Sequence, residues 1–192
     1  MAMLPKLVAH EQMNELTRIF NDAGTDKASR HCYEHLYVLL FPAVLKVRIP
    51  ELNILELGVQ LGGGLCTLRS LFPAANLYGV DIELPDNRID ATLIHTDLSD
   101  RRNVESLYRS LSDLKFALII DDASHKLRDQ IMCVDILFHL LAPGGIYVIE
   151  DIASFDLLRH FKHLPGFLAV DLRLIAESVT ADSICVLARQ SM

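Results

Sequence analysis

Residues 54–64 constrain the fold more than any other stretch of the chain. Ile54, Leu55 and Leu57 form a short apolar run that leads into Gly58, Gly62, Gly63 and Gly64. An apolar run of strand length without strict alternation reads as a strand buried on both faces, and glycines after it let the backbone turn and approach a ligand. Strand, turn and helix in this order open the nucleotide sites of doubly wound α/β sheets. The rest of the chain fits such a sheet. Strands are expected at 53–58, 77–82, 92–96, 116–121 and 145–150, with helices at 63–71, 101–113 and 126–141 between them. This alternation predicts a mainly parallel sheet covered on both faces. Ala142, Pro143, Gly144 and Gly145 should break the last of these helices, and a short helix is expected at 154–162. Two β-like runs, 168–175 and 183–189, flank a polar turn at 177–182 and predict an antiparallel C-terminal hairpin.

Upstream, residues 10–23 read as an amphipathic helix with Met13, Leu16, Ile19 and Phe20 on one face and Gly24 as its stop. A second helical stretch runs to about residue 47, interrupted at Pro42. These helices are expected over the carboxyl end of the sheet or along one edge, as an N-terminal cap (1–50) on the core (51–192) of a single domain. At 192 residues, 51% of them hydrophobic, the chain suffices for one such domain. A net charge of -7 argues against a general nucleic-acid binder, and Arg101-Arg102 is too small to form a basic patch. The apolar run 36–45 is too short to span a bilayer, and the N-terminus lacks the apolar core of a signal peptide, so a cytoplasmic protein is expected. Cys32, Cys66, Cys133 and Cys185 lie among apolar neighbours, show no C-x-x-C pair and read as free buried thiols rather than disulfides or a zinc site.

The glycine spacing, Gly58-x-x-x-Gly62-Gly63-Gly64 with Glu56 two residues ahead, departs from the G-x-G-x-x-G of dinucleotide sites. A nicotinamide-dependent oxidoreductase is therefore disfavoured. Asp81 ends the run 77–82, twenty-three residues after Gly58, where a carboxylate can accept hydrogen bonds from ribose hydroxyls. Just past strand 116–121 come Asp121, Asp122 and His125; strand 145–150 ends in Glu150 and Asp151. Carboxylates crowded at two strand ends repel one another unless a cation neutralises them. Oxygen donors without cysteine favour magnesium, manganese or calcium over zinc. Asp122, Glu150 and Asp151 are thus candidate ligands of a divalent cation, with His125 as a base and Asp121 at the cofactor or buttressing the loop. The same acids could instead cap the helices that follow them.

The form Glu56-x-Gly58-x-x-x-Gly62-Gly63 resembles the first motif of class I S-adenosylmethionine-dependent methyltransferases. Gly24-Thr25-Asp26-Lys27 with His31 and Tyr33, then Glu56 and Gly58, then Asp121, Asp122 and His125, then Gly144 to Glu150 and Asp151, together resemble the mycinamicin-type macrolide-sugar O-methyltransferases and the related cephalosporin hydroxylase-like group. The blocks cover residues 24–151 in order. Two positions depart from the pattern: Ala123, where glycine is frequent, and Leu68, where an aromatic is common. The segment after Asp151 is also short.

The resemblance implies a seven-stranded Rossmann-like methyltransferase sheet. It also implies transfer of a methyl group from S-adenosylmethionine, leaving S-adenosylhomocysteine, to a hydroxyl of a sugar or glycosylated small molecule. Asp122, Glu150 and Asp151 would hold Mg²⁺ or Mn²⁺ and His125 would take the proton. Asp81 would hold the ribose, Glu56, Gly58 and Gly62 the methionine portion, and Asp97 the adenine, unless Asp97 caps the next helix. Thr25, Asp26, Lys27, His31 and Tyr33 would fold over the cofactor as a lid, with His31 or Tyr33 touching it, unless Thr25 or Asp26 only caps the second helix and Tyr33 packs into the core. A homo-oligomer could complete the acceptor pocket. A non-catalytic cofactor-binding or assembly subunit of the same fold is the alternative.

Overall fold

A computed structural model describes residues 4–86, 88–164, 166–171 and 183–189. Helices α1 (Leu4–Asp22) and α2 (Glu34–Val44) precede strand β1 (Asn53–Leu57). There follow α3 (Gly63–Leu71), β2 (Asn76–Asp81), β3 (Thr92–His95), α4 (Arg101–Ser110), β4 (Phe116–Asp121), α5 (Leu127–Leu137) and β5 (Leu141–Ile152). Strands β6 (Leu168–Asp171) and β7 (Ser183–Ala188) come last, and the polar turn expected at 177–182 lies outside the described residues. The strands form one sheet in the order β3-β2-β1-β4-β5-β7-β6. The first five are parallel neighbours, whereas β7 runs antiparallel to both β5 and β6.

Strand parity sorts the core into two layers, because successive side chains point to opposite faces. Ile54, Leu118, Ile120, Ile146 and Val148 join Leu16, Phe20, Leu36, Tyr37, Leu40, Leu65 and Leu68 from α1, α2 and α3. Leu55, Leu57, Ile119, Tyr147 and Ile149 face the other way, onto Val104, Leu107, Cys133, Val134 and Leu137 of α4 and α5. The two N-terminal helices, expected at an end or an edge, are therefore part of one face of the sandwich. Their apolar stripes complete a surface too wide for α3 alone.

Three local features differ from expectation. Pro42 sits within α2 rather than interrupting it, two residues before the helix ends. Helix α5 stops at Leu137, a 3₁₀ turn covers Phe138–Leu140, and β5 already begins at Leu141. Pro143 and Gly144 consequently lie inside a strand. They are accommodated there by a register shift against β4, with the Gly144 N–H donating to the Arg189 carbonyl at 2.8 Å. Bulges of this kind are where a sheet tolerates proline. Cys66 is exposed and Cys32 half-buried rather than buried, whereas the short helix expected at 154–162 is the 3₁₀ helix Phe155–Phe161. Helix α4 is capped by Asp100, whose carboxylate accepts from the Arg102 N–H at 2.9 Å.

Candidate active site

The carboxyl ends of β1, β2, β4 and β5 open into a cleft with a volume of about 950 Å³, a size suited to a small-molecule ligand. Its floor is the turn after β1. Gly58 adopts a φ of +85°, and a Cβ there would lie 2.2 Å from the backbone oxygen of Asp122. Only glycine permits the loops after β1 and β4 to approach so closely, and the Asp122 N–H donating to the Leu57 carbonyl at 2.8 Å ties them together. A Cβ on Gly64 would fall 1.8 Å from Oε1 of Glu56, so the absent side chain makes room for that carboxylate. Glu56 is buried, its Oε2 has no hydrogen-bond partner, and burial pushes its pKa up to about 8 against the pull of Lys27.

Asp81 organises the turn from the side. Its Oδ2 accepts from the backbone N–H groups of Val59 at 2.7 Å and Gln60 at 2.8 Å, and its Oδ1 from Glu83 at 3.1 Å. Burial raises its pKa, but these backbone donors outweigh it and hold the carboxyl below the ordinary aspartate range. An ionised carboxylate has about four acceptor sites, so room remains for a ligand hydroxyl. Asp97 accepts from the N–H and hydroxyl of Ser99 at 2.9 and 2.7 Å, which lowers its pKa and closes a loop at the rim. The helix cap considered for Asp97 is supplied by Asp100 instead.

The acids at the β4 and β5 ends divide into two groups. Glu150 continues the parity of Ile146 and Val148 and points at the N-terminal helices. It is fully buried there: Oε2 accepts from Nζ of Lys27, and Oε1 from the Tyr37 hydroxyl at 2.5 Å. The same Lys27 Nζ donates to Asp122 Oδ2 at 2.6 Å. Burial alone would depress the pKa of this ammonium, but Glu150, Asp122 and Glu56 outweigh it and raise it above the usual lysine range.

Asp151, at a φ of +52°, turns out of the strand toward the cleft. Its Oδ1 accepts from the Tyr33 hydroxyl and lies 3.6 Å from His31 Nδ1; its Oδ2 lies 3.2 Å from His125 Nδ1. Asp122, His125 and Asp151 each offer a ligand atom within 4.8 Å of the others. Two carboxylates and an imidazole suit a hard or borderline divalent cation.

Of the residues singled out in the sequence, Thr25, Asp26, Lys27, His31, Glu56, Gly58, Asp81, Asp97, Asp122, His125 and Asp151 line the cleft. Four stand apart. Glu150 is closed off by Lys27 and Tyr37, and Tyr33 reaches the site through Asp151 and through its ring against His31. Gly62 caps α3 against Ile89. Asp121 lies on the α5 side of the sheet, where Tyr147 donates to it at 3.3 Å and the Ala123 N–H at 3.4 Å. There it buttresses the β4 loop, and burial pushes its pKa up to about 7.

Lys27, expected as part of a lid, is a buried ion-pair partner of the acids. Tyr37 and Gln130, whose amide donates to the Glu150 carbonyl at 3.0 Å, were not anticipated. Tyr37 follows Tyr33 by one helical turn, a spacing that places two hydroxyls side by side and could have flagged it.

A parallel sheet with an antiparallel edge hairpin, and a glycine turn and acidic cleft at its carboxyl ends, defines a class I methyltransferase fold. Within that class the chain is similar in sequence to sugar O-methyltransferases of the mycinamicin and tetracenomycin type. It is 34% identical over 128 residues to the mycinamicin VI 2''-O-methyltransferase of Micromonospora griseorubida, covering 62% of this chain and 30% of the relative. It is 32% identical over 128 residues, 62% of this chain and 31% of the relative, to a tetracenomycin-C 3'-O-methyltransferase of Streptomyces olivaceus acting on the 8-demethyl-8-(2-methoxy-alpha-L-rhamnosyl) compound. The crystal structure of the mycinamicin-pathway methyltransferase MycE with Mg and SAH superposes with a TM-score of 0.61 at 28% identity, over 70% of this chain and 36% of that one. The chain thus spans about a third of the length of these relatives. No protein-family model matches it. No helix among the described residues is long and apolar enough to cross a membrane.

Proposed function

We propose that the chain carries the catalytic domain of an S-adenosylmethionine-dependent, divalent-metal-assisted O-methyltransferase acting on a hydroxyl of a sugar or glycosylated small molecule. The observation that carries this reading is the convergence of Asp122, His125 and Asp151 on one side of a cleft whose floor is the Gly58 turn. The relatives' names supply the acceptor class, and the MycE structures, which contain Mg and SAH, supply the cofactors.

Asp122 and Asp151 would hold the cation, since magnesium is ordinarily bound by one or two carboxylates with waters and substrate oxygens completing its shell. A cation there would stabilise the ionised form of an acceptor hydroxyl, and S-adenosylmethionine would supply the activated methyl group. Asp151 orients His125: an imidazole that donates its Nδ1–H to Asp151 Oδ2 presents a basic Nε2 to the cleft. Nε2 then accepts the acceptor's proton, and Asp151 stabilises the imidazolium that results. The Gly58 turn and Asp81 would fix the donor, leaving alignment of the reacting atoms as the main task of the scaffold.

Two measurements test the assignment together. Calorimetry should detect S-adenosylhomocysteine binding to the wild type and to His125→Ala alike, while mass spectrometry should find methylated sugar acceptor with the wild type only. Undiminished turnover in excess EDTA would refute the metal, and undiminished turnover by His125→Ala would refute the base.

A further inference from the structure

We infer that Arg69, in the last turn of α3, is a positioning residue of the donor site: it anchors the segment between β2 and β3 and so sets donor affinity without touching the donor, an assignment that rests on the methyltransferase reading above and deepens it. The described residues of segment 82–91 are irregular and largely exposed, yet the first of them, Ile82 and Glu83, line the cleft beside Asp81. An exposed, irregular segment opens at low cost unless side chains tie it down.

The segment is held at its start, near its end and at its end. Asp81 Oδ1 accepts from the Glu83 N–H at 3.1 Å and fixes the start. Ile89 fills the place a side chain on Gly62 would take, its Cδ1 lying 2.0 Å from the Cβ position, so it packs where the chain enters α3. Arg69 holds the next residue. Its Nη1 donates to the carbonyls of Pro73 at 3.0 Å and Ala75 at 2.9 Å, which steadies the guanidinium on the turn after α3, and its Nη2 donates to the Asp90 carbonyl at 2.8 Å. Nε lies 3.0 Å from the Asp90 carboxylate, but that side chain is 85% exposed. An ion pair so exposed contributes little. The tie is therefore the bond to the main chain of residue 90, and the side chain there is dispensable. A planar guanidinium spans three carbonyls of two separate stretches in a fixed fork, which the point charge of a lysine on its flexible stem does less rigidly. Donor affinity scales with the fraction of molecules whose cleft wall is docked, so loosening this tie weakens binding from outside the site.

The inference is tested by calorimetry of S-adenosylhomocysteine binding to the purified full chain, with hydrogen exchange of segment 83–91 as the second readout. Arg69→Met keeps the apolar stem and removes the donors. It should weaken binding about tenfold at full stoichiometry and speed exchange across the segment about tenfold, while β1 keeps its protection. Arg69→Lys should recover only part of the loss, and Asp90→Ala, which keeps the carbonyl, should bind within about twofold of the wild type. In turnover of a sugar acceptor, KM for the donor should rise in Arg69→Met while kcat holds. A merely structural role would instead lower Tm or stoichiometry and leave Kd alone. Unchanged Kd in folded Arg69→Met, exchange that rises equally in β1, or a loss with Asp90→Ala as large as with Arg69→Met overturns the inference and leaves the methyltransferase reading intact. Should Arg69→Met fail to fold, Arg69→Lys is measured in its place, and wild-type affinity there overturns the inference. Absence of binding by the folded wild type overturns the donor reading and the inference with it.

Discussion

Replacing Gly58 by alanine tests whether the floor of the cleft is built by backbone contact between two strand ends. At a φ of +85°, the added Cβ would meet the Asp122 oxygen at 2.2 Å, the Asp122 carbonyl carbon at 2.6 Å and the Ala123 Cα at 2.7 Å. All three are main-chain atoms, so no side-chain rotation relieves the clash. Gly24 is the matched control, because its φ of +74° imposes a similar conformational cost while nothing lies within 4 Å of the Cβ position.

Left-handed backbone costs an L-residue about 1–2 kcal/mol, offset by about 0.4–1 kcal/mol from the stiffer unfolded chain, so Gly24→Ala should destabilise by about 1 kcal/mol. Gly58→Ala adds overpacking, typically about 1–3 kcal/mol, for a total of about 2–4 kcal/mol. For a domain of this size that corresponds to a fall in Tm of roughly 5–15 °C, against a few degrees for Gly24→Ala. Urea denaturation followed by circular dichroism, with m held constant, measures both. Equal destabilisation by the two substitutions would refute the close approach of the β1 and β4 loops and, with it, the placement of Asp122 over the glycine turn.

Glu56 and Asp81 predict pH effects of opposite sign. Burial raises Glu56 to about 8 from the model-peptide value of 4.5, so the native state binds the extra proton. Its contribution is present below the unfolded value and lost as pH rises towards 8. Glu56→Gln should therefore flatten the decline of stability between pH 5 and 8 in urea titrations, and an unchanged slope would count against the buried, unpartnered carboxyl. Asp81 has a depressed pKa, so its contribution is present above the unfolded value of 3.8 and lost as pH falls through the lower folded one. Asp81→Asn, which cannot accept as many N–H donors, should cost about 1–2 kcal/mol near neutral pH and weaken S-adenosylhomocysteine binding about tenfold by calorimetry. Unaltered affinity would show that the Val59–Gln60 turn does not depend on this carboxylate.

Much of the architecture was legible because it is local. Apolar runs of strand length alternate with helical spacing from residue 53 onward, and the observed β1, β2, β3 and β4 lie within a residue or so of the expected strands. The start of β5 was not legible: Pro143 and Gly144 signal a break, and only pairing with β4 and the backbone of Arg189 makes them strand. Strand-end chemistry was legible as composition, since acids at the ends of β4 and β5 must emerge at the carboxyl edge. Their directions were partly implicit too. Parity along β5 sends Glu150 to the face of Ile146 and Val148, and parity along β4 sends Asp121 to that of Ile119, so neither points where its sequence neighbour does.

The amino-acid sequence by itself determined the order of elements, the glycine turn and the pool of acids and imidazole, for these follow from residue type and spacing. Tertiary structure alone decided how that pool is partitioned. Lys27 lies 95 residues from Asp122 and 123 from Glu150 along the chain. It reaches them only because α1 and α2 complete one face of the sheet and carry the loop between them over the cleft. Which carboxylate is answered by an ammonium and which is left facing the cleft depends on that long-range packing, because electrostatic attraction is set by distance in space and by burial, and neither is written in the local sequence.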